Sequence, residues 1–174
     1  MKFKTGFAWA LAAFVGCSVA SAAPTPQDRA LAEALFREGR KLGSSGKIAE
    51  ACKKFEESES LDPRLGTKLH LAACYEELGR SASAWVAFSE AAELAERSNE
   101  RDRAKLARSR AQALEKELSR LTVDVREPPA GIVVRLDSQV IGAGSLGTPL
   151  PVDPGEHEIE VSAPGFKTWT RTIS

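Results

Sequence analysis

The feature that most constrains the fold is a set of spaced residues that occurs twice, 33 positions apart. Gly46 recurs as Gly79, Ala51 as Ala84, and Phe55 as Phe88. A period of this length is typical of arrays in which each unit is a pair of antiparallel helices. Small residues let the two helices of a unit approach closely, and aromatic residues fill the space between them. The repeat therefore predicts two stacked helix pairs, over residues 32–64 and 65–98.

The spacing of the small, aromatic and turn residues resembles the tetratricopeptide (TPR) repeat. The matching residues are Gly39, Gly46, Ala51, Phe55 and Pro63 in the first unit, and Leu71, Tyr75, Gly79, Ala84, Phe88 and Ala91 in the second. Glu38 and Lys68 depart from the pattern, which prefers Leu and Trp at these positions. The resemblance implies a short helical array whose concave surface binds a peptide.

Apolar periodicity and turn residues predict five helices in all, at about residues 26–42, 47–60, 65–78, 81–97 and 100–121. Thr25 and Pro26 form a favourable start for the first helix, and the segment Ser81-Ala82-Ser83 is expected to offer a hydroxyl that caps the fourth. Leu31, Leu35 and Leu42 are expected to form the buried stripe of the first helix. A narrow stripe of Ala and Leu predicts that the fifth helix covers the end of the second unit, with a free-standing coiled coil as the alternative.

From Leu121 onward, apolar and polar residues alternate and turn residues separate the runs, which predicts antiparallel strands. The expected strands lie near residues 121–125, 132–136, 159–163 and 167–173. Turn and strand residues follow one another here in a specific order: Gly131, Val134, Leu136, Asp137, Gly142, Gly147, Thr148, Pro149, Pro154, Gly155, His157, Ile159, Val161, Gly165 and Phe166. Their order and spacing resemble those of PEGA-type domains, small β modules of bacterial envelope proteins. The predicted fold class is therefore α then β in two domains: TPR-like helices over residues 23–120 and a small PEGA-like antiparallel β-sandwich over residues 121–174.

Residues 1–22 have the composition of a secretory signal peptide. Lys2 and Lys4 precede a short apolar run, and Ala20-Ser21-Ala22 provides a cleavage site after Ala22. We expect an exported protein of the periplasm or cell envelope. The alternative is a lipoprotein acylated at Cys17, because the residues before it resemble a lipobox. No later run of residues is apolar enough to predict a transmembrane helix in the mature chain.

Composition and motifs give no indication of catalysis. Basic and acidic residues number 24 each, so a nucleic-acid partner is not expected. His70 and His157 lack metal-ligand spacing. Gly142, Gly144 and Gly147 match the dinucleotide fingerprint only formally, because no βαβ unit surrounds them. We therefore predict a protein that is not an enzyme and has no cofactor or metal.

The TPR resemblance implies that the first helix of each unit lines a groove for a protein segment. The groove residues implied by the pattern are Phe36, Arg40, Leu69, Ala73, Glu76 and Glu77. The Lys and Asn residues that hold a terminal carboxylate in some relatives are absent. In the alternative interpretation, these residues pack against the lead-in segment or the β domain.

Two further sets of residues are candidates for interaction or stabilisation. A basic patch on and before the fifth helix, a candidate contact for cell-wall or anionic envelope material, comprises Arg97, Arg101, Lys105 and Arg108. A solvated helix face is the simpler explanation. Cys52 and Cys74 lie equally far from the turn at Pro63 and are predicted to form a disulfide after export, with ordinary core packing as the alternative.

These features together favour a non-catalytic adaptor or scaffold of the cell envelope. The helical groove would bind a protein or peptide segment, and the β domain would be an envelope attachment or interaction module. The alternatives are a purely structural envelope protein without a discrete ligand and a lipid-anchored protein of the same architecture.

Overall fold

A computed structural model describes residues 23–174 of the chain. Five helices come first and short antiparallel strands follow, so the predicted α-then-β organisation is confirmed. The predicted signal peptide and the alternative acylation at Cys17 lie outside the described residues. Within residues 23–174, no helix combines the length and apolarity that crossing a membrane requires.

The helices are α1 (Pro26–Ser44), α2 (Ile48–Leu61), α3 (Leu65–Glu77), α4 (Ser81–Arg97) and α5 (Arg101–Glu115). Four of them agree with the predicted positions to within two residues at either end. The fifth ends well before its predicted limit at Leu121, because residues 119–121 form a strand instead.

The repeated glycines explain how α1 and α3 end in the same way. Gly46 and Gly79 have φ angles of 77° and 73°, a left-handed conformation that glycine adopts without steric cost. After each of them the next amide bonds back to the helix, from Lys47 to the Leu42 carbonyl and from Arg80 to the Tyr75 carbonyl. These bonds are typical of helix C-caps and turn the chain into the next helix.

The start of α1 is confirmed, whereas its predicted buried stripe is wrong in one position. Thr25 and Asp28 form a reciprocal capping box before the helix. Leu31 is 53% exposed, and the buried face instead runs through Ala32, Leu35 and Gly39. A side chain at Gly39 would place its Cβ 2.7 Å from the Phe55 ring, so this face is defined by close helix contact.

Two hydrophobic clusters form the core of the helical region. The first joins α2 and α3 through Ala51, Cys52, Phe55, Leu71 and Cys74. The second joins α3, α4 and α5 and consists largely of alanine, with Phe88 as its aromatic member. α5 contributes Ala107, Ala111 and Leu114 to it, and thereby packs against the second helix pair.

The strands are β1 (Ser119–Leu121), β2 (Val133–Leu136), β3 (Gln139–Ile141), β4 (Leu150–Val152), β5 (His157–Ser162) and β6 (Trp169–Ile173). β1 pairs with β4, and the other four form an antiparallel sheet in the order β3-β2-β5-β6. The first predicted strand, residues 121–125, is misplaced. β1 ends at Leu121, and the Val123 carbonyl accepts a hydrogen bond from Gly147 in a loop.

The hairpin between β2 and β3 turns at Asp137 and Ser138, which have positive φ angles of 50° and 69°. Two consecutive residues with positive φ form the turn that best matches the twist of a two-residue hairpin. The glycine-rich run that follows contains only a 3₁₀ turn at Ala143–Ser145 and no α-helix. The structure therefore agrees with a β-connecting loop and not with a dinucleotide site.

Candidate binding site

A cavity of about 320 Å³ opens between α1, α2 and α3. Its apolar lining comes from Ile48, Ala51, Phe55, Ala73 and Cys74. Its polar lining comes from Arg40, Ser44, His70 and Glu77, together with Gly43. A concave, partly apolar site with a few polar groups around it is the usual form of a ligand-binding pocket.

The structure brings together only part of the predicted groove set. Arg40, Ala73 and Glu77 line the cavity. Phe36 lies next to it, with its ring centroid 5.2 Å from that of His70.

Leu69 and Glu76 belong to a different surface of α3. Leu69 packs against the core that α3 shares with α4 and α5. Glu76 forms a 2.8 Å ion pair with Arg110 of α5. Residues 70, 73 and 77 follow the helical spacing of three and four and face α1, whereas residues 69 and 76 are one position earlier and turn toward α5. The fifth helix therefore takes two of the six predicted residues out of the groove.

His70 was not among the predicted groove residues, yet it lines the cavity. Its ring stacks on Phe55 at 5.4 Å and meets the edge of Phe36. Burial among these groups, and then the positive charge of Arg40, lower the pKa of His70 below its ordinary value. His70 is therefore a neutral imidazole at neutral pH, which can both donate and accept a hydrogen bond. Its position one turn before Ala73 and two turns before Glu77 is the sequence signal that identifies it.

Cys52 of α2 and Cys74 of α3 are joined as a disulfide in the structure, with their Cα atoms 5.7 Å apart. This separation falls within the ordinary range for a disulfide. Cys74 also lines the cavity, next to Ala73. The bond connects the first helix pair to the second directly behind the cavity, so it fixes the distance between the helices that form the cavity wall.

A second polar centre lies where the helical region meets the β region. The Asp153 carboxylate accepts hydrogen bonds from the Ser83 amide at 2.8 Å, the Ser83 hydroxyl and the Arg80 Nε at 3.2 Å. Although partial burial favours the neutral acid, Ser83 and Arg80 hold the pKa of Asp153 below its ordinary value. Asp153 is therefore charged at neutral pH.

This contact also corrects the predicted cap of α4, because neither serine hydroxyl at its start accepts from a helix amide. Ser81 makes no capping bond, and its hydroxyl oxygen is buried without a partner among the described residues. Asp153 supplies the missing cap from the other region of the chain. A carboxylate at this position also interacts favourably with the positive end of the helix dipole.

Arg80 extends this polar centre into the helical region. Its guanidinium lies 4.1 Å from the centroid of the Tyr75 ring and forms a 3.3 Å ion pair with Glu56. The Tyr75 hydroxyl donates to the same Glu56 carboxylate at 2.8 Å. Burial, and then the Glu56 carboxylate, raise the pKa of Tyr75 far above its ordinary value, so the phenol stays protonated.

His157 lies on the β side of the junction and bridges two turns. Its Nδ1 is 2.6 Å from the Asp137 carboxylate, and its Nε2 is 2.6 Å from the Asp153 carbonyl oxygen. Both partners are acceptors, so both bonds form only when both nitrogens carry protons. The hydrogen bond to Asp137, followed by the one to Asp153, raises the pKa of His157. His157 and Asp153 line a cleft of about 440 Å³ between the two regions, together with Lys68, Val86 and Leu136.

Half of the predicted basic patch is neutralised by neighbouring carboxylates. Arg97 pairs with Glu93, and Arg108 pairs with Glu96. Arg101 and Lys105 lack an ion-pair partner among residues 23–174, and both line a cavity of about 280 Å³ near Arg108. Two of the four cations of the patch are thus paired on the helix face, and the other two are unpaired within residues 23–174.

Among the described residues, no three His, Cys, Asp or Glu side chains are grouped so that they could hold a metal ion. Apart from His70, whose shift comes from burial and from the charge of Arg40, the titratable residues with shifted pKa values take part in hydrogen bonds, as Asp153 and His157 do. In the described part of the chain, these shifts are accounted for by structural contacts.

Comparison with protein families identifies the β region. Residues 120–174 match the model of the PEGA domain, so the predicted resemblance of this region is confirmed. PEGA domains are typically extracellular or periplasmic, which supports an envelope-associated module. No curated protein and no solved structure matched the chain. The TPR-like character of the five preceding helices stays a prediction.

Proposed function

We propose that the protein is an exported, non-catalytic adaptor of the cell envelope that binds a segment of another protein in the cavity between α1, α2 and α3. The observation that carries this proposal is that the apolar lining of the cavity, its floor, has Arg40, His70 and Glu77 at its edge. The floor would take one apolar side chain of the bound segment. Arg40, His70 and Glu77 would bond to the polar groups on either side of it.

The surroundings of the cavity favour a preformed site. Phe55 is buried and fixed against Gly39, while the Cys52–Cys74 bond ties the opposite wall to the first helix pair. A site that needs little ordering loses less free energy when a ligand binds. The TPR-like repeat supports the same proposal, because arrays of this type bind extended or helical peptides on the surface lined by the first helices.

The β region would serve as the attachment or interaction module of the adaptor. Its match to the PEGA domain supports this role, and Asp153 joins it to the base of α4. The two unpaired cations on α5, Arg101 and Lys105, would be a weaker contact for anionic envelope material. Surface charges of this kind are screened at physiological ionic strength.

The proposal is tested by selecting peptides from a random display library on the oxidised chain of residues 23–174. Selected peptides are then measured against Ala73→Trp, which fills the cavity, and Ala34→Trp, a matched change at an exposed position of α1. We expect Ala73→Trp to weaken binding about tenfold or more, equivalent to about 1.4 kcal/mol, and Ala34→Trp to leave it unchanged. Arg40→Glu should change the charge preference of the selected peptides.

Two outcomes would contradict the adaptor. Selection that yields no peptide whose binding depends on Ala73 would leave the structural envelope role as the better explanation. Equal loss of binding in Ala73→Trp and Ala34→Trp would show that the peptides bind elsewhere.

A further inference from the structure

The outer edge of β6 is a long, regular strand edge. β6 is the last strand of the four-stranded sheet, and within residues 23–174 no strand pairs with its outer side. Its pairing with β5 continues without a bulge from Val161–Trp169 to His157–Ile173. Proline and bulges, which commonly prevent an edge from pairing with another strand, are absent from these five residues. Trp169, in addition, is 49% exposed.

The hydrogen-bond pattern determines which groups of β6 face outward. The Asp137 amide donates to the Glu158 carbonyl at 2.9 Å, so the backbone groups of Glu158 point toward β2. Adjacent residues of a strand point their backbone groups in opposite directions. Ile159 therefore points toward β6, where it is paired with Arg171. By the same alternation, the N–H and C=O groups of Thr170 and Thr172 point away from the sheet.

We propose that β6 pairs with β6 of a second copy of this chain, antiparallel and with Thr170 opposite Thr170. In this register the outward groups of the two Thr170 residues bond to each other, and those of Thr172 face residue 168 of the other copy. The two four-stranded sheets would then form one continuous sheet across a two-fold axis.

Charge favours this register over the neighbouring one. Centring the pair on Arg171 would place two guanidinium groups directly opposite each other, which is destabilising. Centring it on Thr170 places Arg171 opposite Trp169 of the other copy, and symmetry makes this contact twice. These residues would form non-hydrogen-bonded pairs, in which Cα atoms are only about 4.5 Å apart. An Arg side chain over the face of an exposed Trp is a favourable contact.

The first test is the mass of the chain of residues 23–174 by analytical ultracentrifugation, from micromolar to submillimolar concentration. We expect a reversible dimer. Thr170→Pro removes an outward N–H but no bond to β5, and should weaken the dimer about tenfold or more.

The matched control is Val140→Pro on β3, the opposite edge of the same sheet. Leu136 and Gln139 flank a two-residue turn and bond to each other, so the Val140 N–H also points outward. Val140→Pro should leave the dimer unchanged. Equal weakening by both prolines would overturn the proposal, since it would indicate a general effect on the sheet.

Cysteine cross-linking tests the register without relying on proline. Thr170→Cys should form a covalent dimer under mild oxidation, because opposed Cα atoms in a hydrogen-bonded pair are about 5.5 Å apart. Thr172→Cys should not, because residue 172 lies opposite residue 168 of the other copy. A chain that is monomeric throughout, or cross-linking of Thr172→Cys in preference to Thr170→Cys, would overturn the proposal, even if the edge then paired with a peptide from another protein.

Discussion

The Asp153 carboxylate caps helix α4 at Ser83, which lies 70 residues earlier in the chain. One carboxylate oxygen accepts from the Ser83 amide at 2.8 Å, and the other accepts from Arg80 at 3.2 Å. A single side chain of the β region thus completes a helix of the other region. Anything that displaces Asp153 both loosens the junction and exposes the amides at the start of α4.

Asp153→Ala should therefore destabilise the protein by about 1–3 kcal/mol, since it removes charged hydrogen bonds and a helix cap together. Chemical denaturation provides the measurement. Asp124→Ala is the matched control, because Asp124 is exposed and makes no side-chain hydrogen bond or ion pair within residues 23–174. Equal effects of the two substitutions would show that Asp153 is not a cap.

The bonds of His157 predict that the junction weakens as pH rises. Its folded-state pKa lies above the ordinary value of about 6.5, so its contribution to stability is complete below that pH. The contribution is lost as pH rises through the folded pKa, because one ring proton and its hydrogen bond disappear. Asp153 acts in the opposite direction: its contribution is present above about pH 3.9 and is lost as pH falls through its lowered pKa.

The titrations can be followed residue by residue with NMR. His157 should titrate above a model histidine and His70 below it. His157→Gln should abolish the loss of stability on the alkaline side, while His70→Gln should leave that loss in place. Lys68 also lines this cleft, where, despite partial burial, its 2.6 Å ion pair with Glu90 holds the pKa of Lys68 above its ordinary value, so Lys68 stays charged across this range. A pKa for His157 at or below that of His70 would rule out this account.

Replacing Gly39 or Gly66 by alanine should have different effects on the stability of the protein. Gly39→Ala would place a Cβ 2.7 Å from the Phe55 ring and should destabilise by about 1–3 kcal/mol, the usual cost of overpacking a core. Gly66→Ala lies in α3 with no heavy atom within 4 Å of the new Cβ, so it should be neutral or stabilise by up to about 1 kcal/mol. Thermal unfolding distinguishes them. The interpretation of the α1–α2 contact would fail if Gly39→Ala were as stable as Gly66→Ala.

Local signals explain which parts of the fold can be predicted from the sequence. Thr25, Gly46 and Gly79 act on amides a few residues away, so they predict helix ends correctly. The buried face of α1 is harder to predict, because Leu31 is more hydrophobic than its neighbour Ala32 and yet is the more exposed of the two. The buried face of α1 is determined by the close approach of Gly39 to the Phe55 ring, which a pattern of hydrophobic residues does not reveal.

The residues of the candidate binding site can likewise be predicted only where a local signal places them. Arg40, Ala73 and Glu77 can be found from a repeat pattern, because the pattern fixes which surface of α3 faces α1. Glu76 cannot be placed in this way, because its ion-pair partner, Arg110, belongs to a helix that follows both repeats. Asp153 gives no local signal at all. Its role depends on the packing of β4 against α4, a contact that arises only when the whole chain has folded.

The Cys52–Cys74 bond should contribute about 3 kcal/mol to stability by the loop-entropy estimate, since it closes a loop with a sequence separation of 22 residues. The measurement is chemical denaturation of the oxidised protein against a double Cys52→Ala and Cys74→Ala variant, both with and without reductant. Reductant should destabilise the native protein and leave the variant unaffected. Because Cys74 lines the cavity, reduction of the disulfide should also weaken the binding of any peptide whose affinity depends on Ala73. Non-reducing peptide mapping of protein directed to the periplasm of an expression host tests the bond itself. Two alkylatable thiols in fully folded protein would mean that Cys52 and Cys74 are a packing pair. Their neighbours Ala51 and Leu71 would then hold α2 against α3 without a covalent bond.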